Sequence, residues 1–143
     1  VHVIPSATAV QGLAALAVFE PGETTQHNVL TMTRSAAATR HGAVTVAVKA
    51  GLTSGGLCEV GDVLGVVSGD ITIVGSDAEQ VTREVLDGIV TTGTELVTLV
   101  SGEGVPDGLV EAITDWIGSR RAGIEVEVIH GGQPHYMLLV GAE

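Results

Sequence analysis

The chain has 143 residues, 45% of them hydrophobic, and a formal net charge of −11. A domain of that size buries roughly 70% of its unfolded surface, so one compact core is expected. One lysine, Lys49, and five arginines provide no basic stripe, which argues against nucleic acid and anionic membrane surfaces as partners. Cys58 is alone, so a disulfide framework is excluded and a reducing, cytoplasmic setting fits.

Only Phe19, Trp116 and Tyr136 are aromatic, so the core must be packed from Val, Leu, Ile and Ala. No run of about 18 apolar residues suggests membrane insertion. The opening Val1-His2-Val3-Ile4 reads as a buried strand from the middle of a longer protein, ending at Pro5. Ser6 or Thr8 then caps a helix with Val10, Leu13, Leu16 and Ala17 on one side, ending near Phe19. Pro21-Gly22 breaks the chain before a second helix, about 24–39. Its alanine content predicts close packing against a neighbour.

From Ala43 to Gly75 the pattern changes to short β-branched runs separated by glycines, an antiparallel meander. Val44, Val46 and Val48 alternate with Thr45, Ala47 and Lys49, as in a half-buried strand. Runs at 57–60, 63–67 and 71–74 follow, and Gly69-Asp70 signals a hairpin. Ser76-Asp77-Ala78-Glu79 reads as a capping box opening a helix with Ala78, Val81, Val85 and Ile89 on one face. A strand at 95–100 leads to a helix with Pro106 in its first turn. Its buried face is Leu109, Val110, Ile113, Trp116 and Ile117, and Gly123 ends it. Two final strands, 124–129 and 137–140, close on a hairpin. Strand–helix–strand implies a parallel pair, so the fold class is α/β (α+β): a mixed β-sheet with helices packed against it, including an antiparallel meander and a C-terminal β-hairpin.

Two loops carry candidate chemistry. The stretch His130-Gly131-Gly132-Gln133-Pro134-His135-Tyr136 presents two imidazoles, a carboxamide and a phenol, more than a turn requires. Gly132 supplies φ > 0 and Pro134 fixes φ near −65°. Ser6, Thr8 and Gln11 leave a strand and enter a helix, where hydroxyls and helix amides can hold an anion. The bland alternative for this loop is a helix cap, with Gly12 for close packing. Gly102-Glu103-Gly104 precedes a helix but lacks GxGxxG spacing and a P-loop lysine. His130 and His135 belong to no clustered metal pattern, and Ser6 or Ser101 has no nucleophile elbow. Cys58, without a basic neighbour, reads as a structural thiol.

Val3-Ile4-Pro5-Ser6-Ala7-Thr8-Ala9-Val10-Gln11-Gly12-Leu13-Ala14-Ala15-Leu16 resembles the IPT-x-x-x-x-QG-x-AAL segment of fatty acid kinases related to dihydroxyacetone kinase. So do residues 42–48, the Gly61-Asp62 turn, Ser101-Gly102-Glu103, and 126–136 with its Gly-Gly-Gln-Pro loop. Ser6 stands where the family commonly has Thr, keeping the hydroxyl. Val10 stands where it has Pro, losing a rigid helix-start residue. The resemblance implies that ATP and magnesium belong to an N-terminal domain of the parent protein, with no cofactor in these residues. It also implies an acyl-carrying DegV-like protein as partner and a tail that resembles that carrier's own C-terminal fold.

Residues 1–143 are thus expected to form a C-terminal partner-binding module. Residues 1–40 can be the end of a preceding α/β subdomain, and 41–143 the meander plus the DegV-like tail. Ser6, Thr8, Gln11, His130, Gly132, Gln133, His135 and Tyr136 are the candidate partner or ligand contacts, none of them catalytic. Alternatives are a domain binding an acyl or phosphorylated small molecule, or a homodimerisation module using the alanine-rich helix near Ala36.

Overall fold

The structure, a computed structural model, describes all 143 residues. Two helices, α1 (Ala9–Ala17) and α2 (Thr25–Ala38), precede strands β1 (Arg40–Val46), β2 (Gly51–Thr53), β3 (Gly56–Cys58), β4 (Val63–Val67) and β5 (Asp70–Gly75). Then follow α3 (Ala78–Ile89), β6 (Leu96–Ser101), α4 (Leu109–Arg120), β7 (Glu125–His130) and β8 (Tyr136–Ala142). Six strands form a mixed α+β sheet in the order β5-β4-β1-β8-β6-β7, and β2-β3 make a separate ribbon.

The meander and the parallel β6–β7 pair match expectation. The C-terminal strands are hairpin-like in course, antiparallel and joined by a short loop, but they do not pair with each other. Strand β6 lies between them, and β8 pairs with β1 on its other side. The apolar content decides this placement: Leu138 and Val140 are fully buried and Met137 nearly so, as suits a central strand. Strand β7 reads Glu-Val-Glu-Val-Ile-His and is half exposed, as suits an edge defended by charge.

Helices α3 and α4 cover one face of the sheet and α1 the other, with α2 on α1. Val81, Val85, Leu86 and Ile89 of α3 meet Leu109, Ile113 and Ile117 of α4 over Val44, Val97, Leu99, Leu138 and Val140. Gly42 and Gly65 are required here: a Cβ on either would lie under 3 Å from Val85. Because both faces are covered, β1 does not alternate simply; Ala43 and Val44 are both buried, while Val46 and Val48 are exposed. Strand β1 is thus a two-sided central strand.

Several local expectations need correction. Residues 1–4 form no strand and Val1 and Val3 are exposed, because no strand of this chain offers them a ladder. Leu16 points outward, and α1 buries Val10, Ala14 and Ala15 instead. These small residues allow α1 to approach α2, where Ser35 donates to the Ala14 carbonyl at 2.9 Å and Ala36 is fully buried. Gly12 has no close-packing role, since a Cβ there would meet nothing within 4 Å. The cap of α3 is Asp77 rather than Ser76; its carboxylate accepts from the amides of Glu79 and Gln80. Asp77 also favours the helix dipole, as a serine hydroxyl does not. Pro106 lies in the turn before α4, with Gly108 at φ 79° as the N-cap. Cys58 is buried and free, as expected of a structural thiol.

Candidate functional site

Residues 131–135 cross the end of β6 to carry the chain from β7 to β8. Gly131 and Gly132 amides both donate to the Ser101 carbonyl, at 2.9 and 3.0 Å. Gly102 donates to the Met137 carbonyl and Glu103 to the Gln133 carbonyl, each at 2.9 Å. The loop is therefore laced to the end of β6 through its backbone. Gly102 makes this approach possible, because a Cβ there would lie 2.2 Å from the Tyr136 oxygen.

Gln133 lies at the centre of the lacing. Its Nε2 donates to the carbonyls of Val100 at 3.1 Å and Tyr136 at 3.2 Å, while its Oε1 is buried without a partner. His135 adopts φ 72°, unusual for a residue with a Cβ. The Tyr136 amide donates back to the Pro134 carbonyl at 2.9 Å, closing a γ-turn of a strained kind. Such a backbone costs about 1–3 kcal/mol and persists only where its surroundings impose it. Thr45 Oγ1 donates to the His135 carbonyl, and a register shift between β1 and β8 lets Met137 turn into the core while Tyr136 stays out.

The candidate residues do not form one constellation. His130 Nδ1 lies 3.1 Å from the hydroxyl of buried Ser101. Gln11 is consumed internally: its Oε1 accepts from the Ala7 amide at 2.7 Å and its Nε2 donates to the Thr39 carbonyl at 3.1 Å. Thr8 is the N-cap residue of α1 but makes no side-chain cap bond, and its hydroxyl is buried without a partner. No three His, Cys, Asp or Glu side chains converge as a metal ion would require.

Three clefts bring the two loops together. One of about 510 Å³ joins Thr8 and Val10 with His41, Ser68, Gln133 and Tyr136. A second, about 620 Å³ and largely apolar, joins Ser6, Leu13, Leu16 and Met32 with Ile129 and Gln133. A third, about 550 Å³, runs from His135 and Tyr136 to Val46, Val48 and Leu52. Residues 131–136 are the crest between them. His41, Thr45 and Ser68 escape a sequence reading because no local pattern marks them; each reaches the crest only through sheet pairing or the β4–β5 turn.

The model of the FakA-like C-terminal family, a region of fatty acid kinases, matches residues 1–143. The chain belongs to that family. A protein of Staphylococcus haemolyticus, described only as uncharacterized, is 28% identical over 142 residues, which is 99% of this chain and 26% of its own length. Two more so described, from Staphylococcus epidermidis and Staphylococcus aureus, are 34% and 30% identical over 73 residues, 50% of this chain and 13% of theirs. The chain thus spans about a quarter or less of the length of these curated relatives. The segments that resemble the fatty acid kinases are far apart in sequence yet meet at one end of the sheet. Residues 7–10, 41–43, 101–103 and 131–136 bond to one another there or line shared clefts. No helix is long and apolar enough to cross a membrane.

Proposed function

We propose that this chain is the noncatalytic C-terminal module of a FakA-like fatty acid kinase protein and docks an acyl-carrying DegV-like partner. The partner's fatty acid carboxylate is then phosphorylated by an ATP- and magnesium-binding domain elsewhere in the protein. The observation that carries this reading is the crest at residues 131–136. It is laced to the sheet through backbone bonds, presents His135 and Tyr136 to solvent, and borders the apolar cleft of Leu13, Leu16, Met32 and Ile129. A rigid polar crest beside an apolar hollow loses little entropy on binding, which is what a docking surface needs. With a net charge of −11, encounter favours a basic patch on the partner and is steered at low salt. Calorimetry of the chain with its cognate carrier tests this. Binding that weakens as salt rises, and weakens again in Tyr136→Ala, is expected; no binding at low salt with both proteins folded removes the proposal.

A second reading, a small-molecule site, is favoured by the unpartnered Thr8 hydroxyl beside the cleft of about 510 Å³. That volume lies within the range of ligand pockets. A copurified mass retained in native mass spectrometry and lost in Thr8→Val supports it; an unliganded mass in both forms opposes it.

A further inference from the structure

The β2–β3 ribbon carries large apolar side chains that nothing in the chain covers. Leu52 and Leu57 are register partners and are 80% and 77% exposed, with Val48 at 87% and Val60 at 68%. Strand alternation explains the arrangement. Cys58 turns inward to pack with Ala47 and Leu64 over Ile71 and Val74, which sends Leu57 outward. The Gly61 amide donates to the Ala47 carbonyl at 2.9 Å, bringing Val60 alongside Val48, so the four side chains form one patch. Toward the crest it continues through Val46 and Tyr136, both 42% exposed.

The ribbon is fastened, not loose. The Gly55 amide donates to the Ile71 carbonyl at 3.0 Å, Thr53 Oγ1 donates to the Gly56 carbonyl at 2.8 Å, and Ser54 bonds the Asp70 carboxylate at 2.9 Å. A Cβ on Gly55 would lie 2.5 Å from the Thr72 backbone oxygen, so the ribbon sits directly against β5. A fixed apolar patch at this exposure marks an interaction surface.

We propose that this patch pairs two copies of the chain about a two-fold axis. At the exposures above, the four side chains present on the order of 500 Å² per copy, so a self-paired ribbon buries about 1,000 Å², the threshold of a specific interface. Val46 and Tyr136 extend it further. Four aliphatic side chains offer no charge or hydrogen-bond pattern that would select a dissimilar partner, whereas an apolar patch is complementary to itself, as an isologous contact requires. The opposing force is the charge of −11 on each copy, which salt screens. Self-association through the ribbon therefore strengthens with salt, opposite to the charge-steered docking proposed above, and the two readings fail independently.

Sedimentation equilibrium of the 143-residue chain at low and high salt is the test. A concentration-dependent dimer is expected, tighter at high salt, with its dissociation constant raised at least about tenfold in Leu52→Asp/Leu57→Asp. Circular dichroism shows whether that variant folds; if it does not, Leu57→Gln with Val60→Ser replaces it. A monomer at every concentration and salt overturns the proposal, as does a dimer unchanged in the folded variant. Flotation of a monomeric chain with phosphatidylcholine vesicles, lost in the variant, overturns it in favour of a lipid surface.

Discussion

Gln133 offers the sharpest test of how the crest is held. Its Nε2 donates to two backbone carbonyls, those of Val100 and Tyr136, each bond contributing about 1 kcal/mol net. Gln133→Ala removes both but also removes the buried, unpartnered Oε1, which offsets about 1 kcal/mol of the loss. The expected cost is about 1–2 kcal/mol, or a fall in Tm of about 3–6 °C for a chain of this length. Gln133→Glu is nearly isosteric, yet at neutral pH it sets a carboxylate against the same two carbonyls and has no proton to donate. That costs more, about 3 kcal/mol and about 10 °C. The introduced carboxyl is raised above its unfolded value in the folded state. Its penalty is therefore full above the folded pKa and fades as pH falls through it, because the protonated acid can again donate one bond. Thermal melts of wild type, Gln133→Ala and Gln133→Glu at neutral and mildly acidic pH decide the matter. If the Glu and Ala variants melt together at both pH values, the carboxamide does not hold the crest.

Asp77→Ala removes the cap that accepts from Glu79 and Gln80 and should cost about 1 kcal/mol by urea denaturation, whereas Ser76→Ala, outside the cap bonds, should cost far less. Gly118 lies within α4 with nothing near a Cβ, so Gly118→Ala should stabilise by about 0.5–1 kcal/mol. Gly42→Ala, which forces a Cβ to 2.4 Å from Val85 Cγ1, should destabilise by about 1–3 kcal/mol. The Glu143 carboxyl is raised above 4.5 by partial burial and then by the Glu127 carboxylate. Ionised Glu143 therefore opposes folding at neutral pH, and this opposition is relieved as pH falls through its raised folded pKa. Glu143→Gln should melt slightly higher than wild type at pH 7, with the advantage vanishing in acid.

Helix α3 and the β4–β5 hairpin were legible because their signals are local. Val81, Val85 and Ile89 recur at helical spacing, and Ser68 and Gly69, both at positive φ, form the turn that flanking apolar runs demand. The position of β8 was not legible. Its loop is compatible with direct pairing to β7, and only the competition among β1, β6 and β7 for the most apolar strand places it centrally. Of the candidate residues, the loop 131–136 was marked by an excess of polar groups, but the internal use of Gln11 depends on Thr39, 28 residues away. His41 and Ser68 reach the clefts by sheet register, which composition does not encode. The exposed leucines of β2 and β3 look in sequence like any strand residues; their isolation from the core is a property of topology.

The central place of β8 has a consequence for how the molecule comes together. Strands β1, β4 and β5 form one three-stranded unit, and β6 and β7 form another, and no ladder joins the two except through β8. Both units exist as contiguous stretches of sequence before β8 is reached, each with an open edge that only β8 closes. Assembly of the sheet is thus governed by a keystone supplied by the last strand of the chain, with long loops to close before its contacts are gained. Until then the β1 and β6 edges are open templates for pairing with other chains. Substitutions in Leu138 or Val140 would release both units at once instead of loosening one.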